Sequence, residues 1–312
     1  MIETPATLDR QPRVSVIIPH LNTPAALDRC LASVTSQLLD VGEAEIIVVD
    51  NGSTTPLGDV AACYPQVRFL AEPTPGPGPA RNTGVGAARA QTLAFIDADC
   101  RAAPGWLQAA VAAVESAPGR AVVGGDIRID FKDPARIDPL ESYEAVFGFR
   151  QQMYIEMRRF SVTANLAMDR AVHVFVGPFA GIEKAEDLDW GQRAHALGFA
   201  TAYVPEMLVY HPARPDLAAL KRKWHRHISH DWNAHGRDPV AAFRWRLRAL
   251  AMLASIPVET LKLFRSKKIG GLRNRLVGIV PLARIRWFRC VEMLRVMRAT
   301  GESGGDTWNR SQ

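Results

Sequence analysis

Two aspartates separated by one small residue form a candidate metal site in the first half of the chain. Asp97, Ala98 and Asp99 follow an apolar run, residues 92–96, that predicts a buried strand. Carboxylates spaced in this way at a strand end can both point into one cleft, and divalent cations such as Mg²⁺ prefer carboxylate oxygens. A cation held there could bridge phosphate oxygens. An isolated Asp-Ala-Asp is also common in ordinary turns, so the motif needs support from its surroundings.

A second acidic cluster comes later, with Glu186, Asp187 and Asp189 at the start of a predicted helix. The helix dipole favours acidic side chains at this position without any catalytic role. A carboxylate can also act as a general base that accepts a proton from an attacking hydroxyl group. We expect a carboxylate at a helix N-terminus to stay ionised near neutral pH, as such a base requires. The cluster by itself leaves both interpretations open.

The elements that must position these residues alternate between strand and helix. Apolar runs predict strands at residues 14–19, 45–50, 67–71, 92–97, 121–129, 161–168 and 200–209. The alternation predicts an α/β fold with a mainly parallel, doubly wound sheet. Ligands of such sheets bind beyond the carboxyl ends of the strands, where Asp50 and Asp97 lie. Residues 130–160 have no clear period, and we predict a partly mobile segment there.

The charge distribution divides the chain into two regions. The 312 residues have a net charge of +6, but residues 1–212 hold 17 basic and 25 acidic side chains, whereas residues 213–300 hold 20 and 5. We therefore predict a catalytic domain at 1–212 and a basic helical extension at 213–312. The four scattered cysteines and the polar first 13 residues favour a cytoplasmic protein. The apolar runs are too short for a membrane-spanning helix.

Six segments occur in an informative order: VSVIIPHLN, EIIVVDNGST, PGPGPARNTGVGAA, TLAFIDADC, GIEKAEDLDWGQRAHALGF and VPEMLVYH. This series resembles the family 2 inverting glycosyltransferases, which have the GT-A nucleotide-diphospho-sugar transferase fold. The resemblance covers about residues 13–212. It implies transfer of a sugar from a UDP-, GDP- or dTDP-sugar to a hydroxyl of a glycan or lipid-linked acceptor, in surface polysaccharide synthesis. The alternative is a nucleotide-sugar-binding or scaffold protein without turnover.

The resemblance also implies a binding site for the nucleotide-sugar donor. Pro19 and His20 would line the pocket of the nucleotide base, and Asp50 would hydrogen-bond the base. Arg81 and Asn82 match a segment beside the diphosphate and the sugar. An arginine there can bind phosphate oxygens with both ends of its guanidinium group.

A metal site follows from the same resemblance. Asp97 would contact the ribose and the metal, and Asp99 would bind a Mn²⁺ or Mg²⁺ ion on the diphosphate. His211 stands where many family members have a histidine that contacts the metal or the diphosphate. An imidazole among oxygen ligands would favour Mn²⁺, although Mg²⁺ stays open.

The late acidic cluster matches the motif in which the family holds its general base. Asp187 takes that role, accepting the proton of the acceptor hydroxyl as its oxygen attacks the anomeric carbon with inversion. Glu186, Asp189 and Trp190 would orient the acceptor or the base.

The basic C-terminal region has three interpretations. Residues 243–264 predict an amphipathic helix divided at Pro257, with Arg244 and Arg248 on one face and most apolar side chains opposite. The helices could pack on the catalytic domain, or bind an anionic inner-leaflet membrane surface with Trp245 and Trp287 at headgroup depth, making the enzyme peripheral. These two interpretations stay open. Nucleic-acid binding is disfavoured because no base-reading motif is present.

Overall fold

The computed structural model describes residues 11–233 and 238–298, which divide into two compact units. The first unit holds the described residues up to Ile127 together with Gln151–Tyr210. The second holds Arg128–Arg150 and the described residues from His211 onward. The predicted division after residue 212 stays a prediction, while the change from the first unit to the second falls after Tyr210. No pattern in the sequence indicated that Arg128–Arg150 belong with the C-terminal region.

The described residues form one mixed sheet of eight strands in the order β3-β2-β1-β4-β7-β6-β8-β5. The strands are β1 Val14–His20, β2 Ala44–Asp50, β3 Val67–Ala71, β4 Thr92–Ile96, β5 Arg101–Ala102, β6 Val122–Asp130, β7 Asn165–Asp169 and β8 Thr201–Pro212. Strands β3, β2, β1 and β4 pair in parallel. Strand β7 pairs antiparallel with β4 and β6, and β5 pairs antiparallel with β8. The α/β class is confirmed, and the parallel half of the sheet is the part that the alternating pattern predicts.

The helices were predicted less completely than the strands. They are α1 Pro24–Thr35, α2 Leu38–Val41, α3 Gly58–Cys63, α4 Pro77–Ala87, α5 Trp106–Glu115, α6 Pro139–Phe147, α7 Gln151–Met153, α8 Arg170–Val176, α9 Glu186–Ala196, α10 Leu217–Asn233, α11 Pro239–Ala254, α12 Ile256–Arg265, α13 Leu272–Leu276 and α14 Ile279–Val296. A π-helical turn, Tyr154–Arg158, follows α7. No helix among the described residues combines the length and the apolar character needed to cross a membrane.

The first unit is held together by apolar side chains on both faces of the parallel strands. Strands β1, β2 and β4 are buried along nearly their whole length, as strands covered on both faces are. Ile17, Val49 and Phe95 belong to one core cluster. Helix α4 approaches this cluster at Gly84, where a Cβ atom would lie 2.5 Å from Cγ2 of Ile17. The close approach sets the distance between the second half of α4 and the sheet.

The prediction of a mobile segment at residues 130–160 is wrong, because much of this segment is packed helix. In the second unit α6 begins with a capping box between Asp138 and Glu141. Tyr143 of α6 is buried in a core with Leu263 and Leu282. The predicted division at Pro257 is confirmed: α11 ends at Ala254, and Pro257 lies in the first turn of α12. The Asp138-Pro139 pair starts α6, whereas Asp133-Pro134 lies in a turn before it.

Candidate active site

Strands β1 and β2 end side by side, which brings the predicted donor-binding residues His20 and Asp50 into register. Nδ1 of His20 lies 3.0 Å from Oδ1 of Asp50, and Nε2 of His20 accepts a hydrogen bond of 3.0 Å from the backbone N–H of Thr23. Because Nε2 accepts, the proton belongs on Nδ1, which donates to Asp50. His20 is 2% exposed. Its observed contacts therefore orient Asp50, while Pro19 beside it is partly exposed at the strand end.

Asp50 is a partly exposed carboxylate whose hydrogen bonds keep it ionised. Partial burial raises its pKa, but hydrogen bonds from the hydroxyl and backbone N–H of Ser53 and from His20 outweigh this and hold its pKa below the ordinary value. An ionised carboxylate at this place can accept hydrogen bonds from the N–H groups of a nucleotide base. The geometry agrees with the predicted role without testing it.

Asn51 connects the end of β2 to the glycine-rich loop, a function that the sequence analysis missed. Its side-chain amide donates to the carbonyls of Glu72 and Thr74 at 3.0 and 2.7 Å, and its Oδ1 accepts from the N–H of Gly76 at 2.7 Å. Gly76 has a φ of +124°, which disfavours other residues. The signal available in the sequence was the asparagine directly after a buried strand that ends in aspartate.

Arg81 of α4 lies at the centre of the acidic residues. Its side chain is 3% exposed, and its two Nη atoms donate to Oδ1 of Asp97 at 2.6 Å and to Oε1 of Glu186 at 3.0 Å. Its Nε is buried without a hydrogen-bond partner in the described structure. Arg81 therefore joins two predicted site segments that are about 90 residues apart in sequence. Direct binding of phosphate by Arg81 stays a prediction and would require it to exchange partners.

The turn after β4 displays Asp97 and Asp99 as predicted. The two aspartates are partly exposed, whereas Ala98 and Cys100 are buried. Burial thus alternates along the turn, and both carboxylates remain accessible to solvent. Two carboxylates at this spacing form a donor set that suits Mg²⁺ or Mn²⁺. The chemistry of these residues therefore fits the predicted cation.

Asn82 and Gly78 position the loop that leads to the segment of the predicted general base, Asp187. The side chain of Asn82 exchanges two hydrogen bonds of 2.9 Å with the backbone of Phe179. A Cβ atom at Gly78 would lie 1.9 Å from the carbonyl oxygen of Ala180, so only glycine permits this approach. The observed contacts of Asn82 are structural, and its predicted contact with the donor remains untested.

Asp187 lies in the first turn of α9, beside Glu186. Burial and the neighbouring charge of Glu186 raise the pKa of Asp187 to about 7, although the N–H of Leu188 and the charge of Arg81 lower it. The helix N-terminus therefore does not by itself hold the pKa of this carboxylate low, and its ionisation as the general base stays a prediction. Desolvation and a second carboxylate outweigh the helix dipole. A base with a pKa near 7 is well matched to proton transfer near neutral pH.

Two neighbours of Asp187 position the loop and helix. Asp189 pairs with Lys184 and Arg193 at 2.9 Å each, and Arg193 also donates to two backbone carbonyls of the preceding segment. Trp190 is 1% exposed and donates its indole N–H to the carbonyl of Gly177. These contacts correct the expectation that Trp190 orients an acceptor directly, because a buried ring cannot touch one. Of the three residues predicted to orient the acceptor or the base, Glu186 is the one that forms an ion pair with Arg81.

His211, the predicted metal ligand, begins the C-terminal segment of the second unit. It lies near the end of β8, with Nδ1 2.6 Å from the carbonyl oxygen of Pro212 and its ring 4.8 Å from that of Phe149. Its role as a ligand stays a prediction.

Comparisons with known proteins agree with this site. The profile described as glycosyl transferase family 2 matches residues 15–188. The chain is 32% identical over 219 residues to "Glycosyltransferase AglE" of Haloferax volcanii, covering 68% of this chain and 71% of that protein. It is 31% identical over 137 residues to "Succinoglycan biosynthesis protein ExoO" of Rhizobium meliloti, covering 43% and 37%.

Solved structures resemble this one in fold. A mannosyltransferase from Pyrobaculum calidifontis, solved with GDP-Man and Mn²⁺, aligns with a TM-score of 0.58 at 18% identity over 94% of this chain and 89% of that one. Glucosyl-3-phosphoglycerate synthase from Mycobacterium tuberculosis, solved with Mn²⁺ and UDP-glucose, aligns with a TM-score of 0.50 at 21% identity over 70% and 79%. The family match covers more than half of the chain and includes the strand ends, the Asp97 turn and Asp187. This chain belongs to glycosyl transferase family 2 and is a glycosyltransferase.

Proposed function

We propose that this enzyme is a metal-dependent, inverting glycosyltransferase with Asp187 as its general base. The observation that carries the proposal is the acidic group around Arg81, which joins Asp97 of the β4 turn to Glu186 beside Asp187. The donor would be a UDP-, GDP- or dTDP-sugar. The relatives solved with GDP-Man and with UDP-glucose support a nucleotide-sugar without deciding which one applies here.

The chemistry follows from the charges of these residues. Ionised Asp187 accepts the proton of the acceptor hydroxyl while its oxygen forms a bond to the anomeric carbon. The bond from that carbon to the diphosphate oxygen breaks on the opposite face, so the configuration inverts and the nucleoside diphosphate leaves with its electron pair. Arg81, which offsets part of the charge of Asp97 and Glu186, limits the negative charge that the donor meets.

Asp97 and Asp99 would hold Mn²⁺ or Mg²⁺, with His211 as a further proposed ligand. A bound divalent cation would stabilise the charge that develops on the departing diphosphate. The Mn²⁺ in both solved relatives supports this assignment. Asp50 would recognise the base, and its low pKa keeps it an acceptor over the whole neutral range.

For the acceptor we propose a hydroxyl of a glycan or lipid-linked intermediate in surface polysaccharide synthesis. Similarity to a succinoglycan biosynthesis protein supports this class. The site of action would be the cytoplasm, with the enzyme peripheral on the inner, anionic face of the membrane. The basic second region supports this location, because residues 213–300 hold 20 basic and 5 acidic side chains.

The first test is stabilisation by nucleotides. Thermal unfolding is followed with UDP, GDP and dTDP, each with and without Mn²⁺. We expect one nucleotide to raise Tm in a metal-dependent manner, because a ligand that binds the folded state stabilises it. Absence of such stabilisation with all three nucleotides would overturn the proposal.

The second test separates transfer from binding. Asp187→Asn should lower the rate of transfer about 10²- to 10⁴-fold, the range for loss of a general base, and leave nucleotide binding intact. Asp59→Asn, at an exposed acid in the first turn of α3, is the matched control and should keep full activity. If a nucleotide-sugar binds to the wild-type protein but is not consumed with any acceptor, the alternative of a binding protein without turnover is supported instead.

A further inference from the structure

Helix α14 in the second unit presents a narrow exposed face in which apolar and basic residues alternate. Val280, Arg284, Trp287, Val291 and Arg295 recur at helical spacing and are all exposed. Trp287 is 63% and Val280 is 60% exposed. An exposed tryptophan between aliphatic and arginine side chains is typical of helices that lie in a membrane interface.

Helix α11 has a similar exposed stripe. Phe243, Leu247 and Leu250 are each more than half exposed, on the side opposite Trp245 and Ala249, which are buried. Arg244 and Arg246 lie on either side of this stripe by helical position and are exposed. The apolar side chains of this stripe therefore do not pack in the core of the second unit, and arginine side chains border them.

Helix α12 continues the pattern after the break at Pro257. Val258 and Leu261 are 58% and 52% exposed, and Lys262 and Arg265 are exposed on the same side of the helix. Exposed apolar side chains are ordinary when scattered singly. Here three helices of one unit, α11, α12 and α14, each combine them with arginine or lysine.

A groove of about 670 Å³ in the second unit lies among these helices. Its apolar wall includes Leu253 and Ile256 from the α11–α12 junction and Trp287 and Val291 from α14. Two exposed cations, Lys221 of α10 and Arg284, also line it. The volume lies within the range of ordinary ligand sites, and an apolar wall with a few cations suits an anionic amphiphile.

We propose that this groove binds a hydrocarbon chain of an anionic bilayer lipid, with Lys221 and Arg284 beside the lipid phosphate. Charge selects this occupant, because residues 213–300 have a net charge of +15 and would be attracted to an anionic lipid surface. The exposed stripes of α11, α12 and α14 would contact the surrounding lipid. The inference rests on the proposed function for its peripheral membrane location and adds a specific lipid site to it.

The closing experiment measures where Trp287 lies when the full-length protein binds vesicles. Fluorescence is recorded with phosphatidylglycerol vesicles whose acyl chains are brominated, and Trp287→Phe gives the contribution of this one indole. Because Trp287 is one of seven tryptophans, we expect partial quenching in the wild type that is largely lost in W287F. Equal quenching in both proteins, or vesicle binding without quenching, would overturn the chain-binding groove.

Charge specificity is tested by flotation with phosphatidylglycerol and with phosphatidylcholine vesicles. The double variant Lys221→Gln and Arg284→Gln should lower partitioning into the anionic vesicles about 25-fold, since each basic residue at such a surface contributes roughly fivefold. Arg13→Gln, an exposed arginine of the first unit, is the control and should change nothing. Equal binding to both lipids, or a concentration-dependent dimer without vesicle binding, would refute the inference. Nucleotide stabilisation is measured separately, so failure of the lipid site and failure of the transferase assignment are distinguishable.

Discussion

Replacing Arg81 by methionine removes the central charge of the acidic group while keeping much of the side-chain volume. The substitution would leave the carboxylates of Asp97 and Glu186 without their present partner. It would also remove a positive charge that lowers the pKa of Asp187. We therefore expect two effects, a loss of stability and a further rise in the pKa of the proposed base.

The magnitude of the stability loss follows from burial. Removing one partner of a buried ion pair costs about 3–5 kcal/mol. The side chains of Asp97 and Glu186 are 32% and 21% exposed, so water screens part of the unmatched charge. We therefore expect the lower end of that range, about 3 kcal/mol. A loss of this size should lower Tm by roughly 5 °C in a chain of this length.

The assay is thermal and urea unfolding of Arg81→Met beside Arg13→Met. The Arg13–Glu115 pair has comparable geometry at 2.7 Å, but its side chains are about half exposed, so its loss should cost less than about 1 kcal/mol. In parallel, the pH dependence of transfer should move toward higher pH in R81M. Equal Tm losses in the two variants would refute the argument that burial of Arg81 makes this ion pair important.

Three further predictions concern the same unit. The rate of sugar transfer should increase as pH rises through about 7, because Asp187 must lose its proton to act as the base. Glu186→Gln removes a charge that raises the pKa of Asp187, so it should move this increase to lower pH. An unchanged pH profile in E186Q would contradict the contribution of Glu186 to that pKa. Since the folded-state pKa of Asp187 is raised, its ionisation costs stability as pH rises from about 4 toward 7, so Asp187→Asn should raise Tm at pH 8 and have no such effect near pH 4. Gly78→Ala should lower Tm and abolish nucleotide binding, because the added Cβ would overlap the carbonyl of Ala180. Gly86→Ala in the same helix adds a Cβ that meets no atom within 4 Å, so it should stabilise the protein by about 0.5–1 kcal/mol. Similar Tm values for the two variants would count against the close approach at Gly78.

The local sequence was sufficient to predict the strands and helices that have a clear hydrophobic pattern or a characteristic first or last residue. The apolar runs before His20, Asp50 and Asp97 fixed three parallel strands, and residues that end parallel strands come to one edge of the sheet. The helix that begins at Glu186 was visible from its acidic first turn. These features depend on neighbours within a few positions in sequence, which is why the pattern reveals them.

Contacts between distant residues were not visible in the pattern. Arg128–Arg150 joined the C-terminal unit because Tyr143 packs against Leu263 and Leu282, residues more than 100 positions later. Nothing in the periodicity of either segment specifies that pairing. The membrane and packing interpretations of α11 also required coordinates, since a helical wheel shows an apolar stripe without showing whether a neighbour covers it.

The sequence by itself determined which residue types stand at the strand ends and at the start of α9, and hence the kind of chemistry and the family. Only the tertiary structure decided how those residues influence one another. Arg81, which we predict to meet phosphate, joins Asp97 to Glu186, and Asp187, which we expected to stay ionised near neutral pH, has a raised pKa. The physical reason is that charge interactions and desolvation depend on distance and burial in space, which sequence spacing does not record.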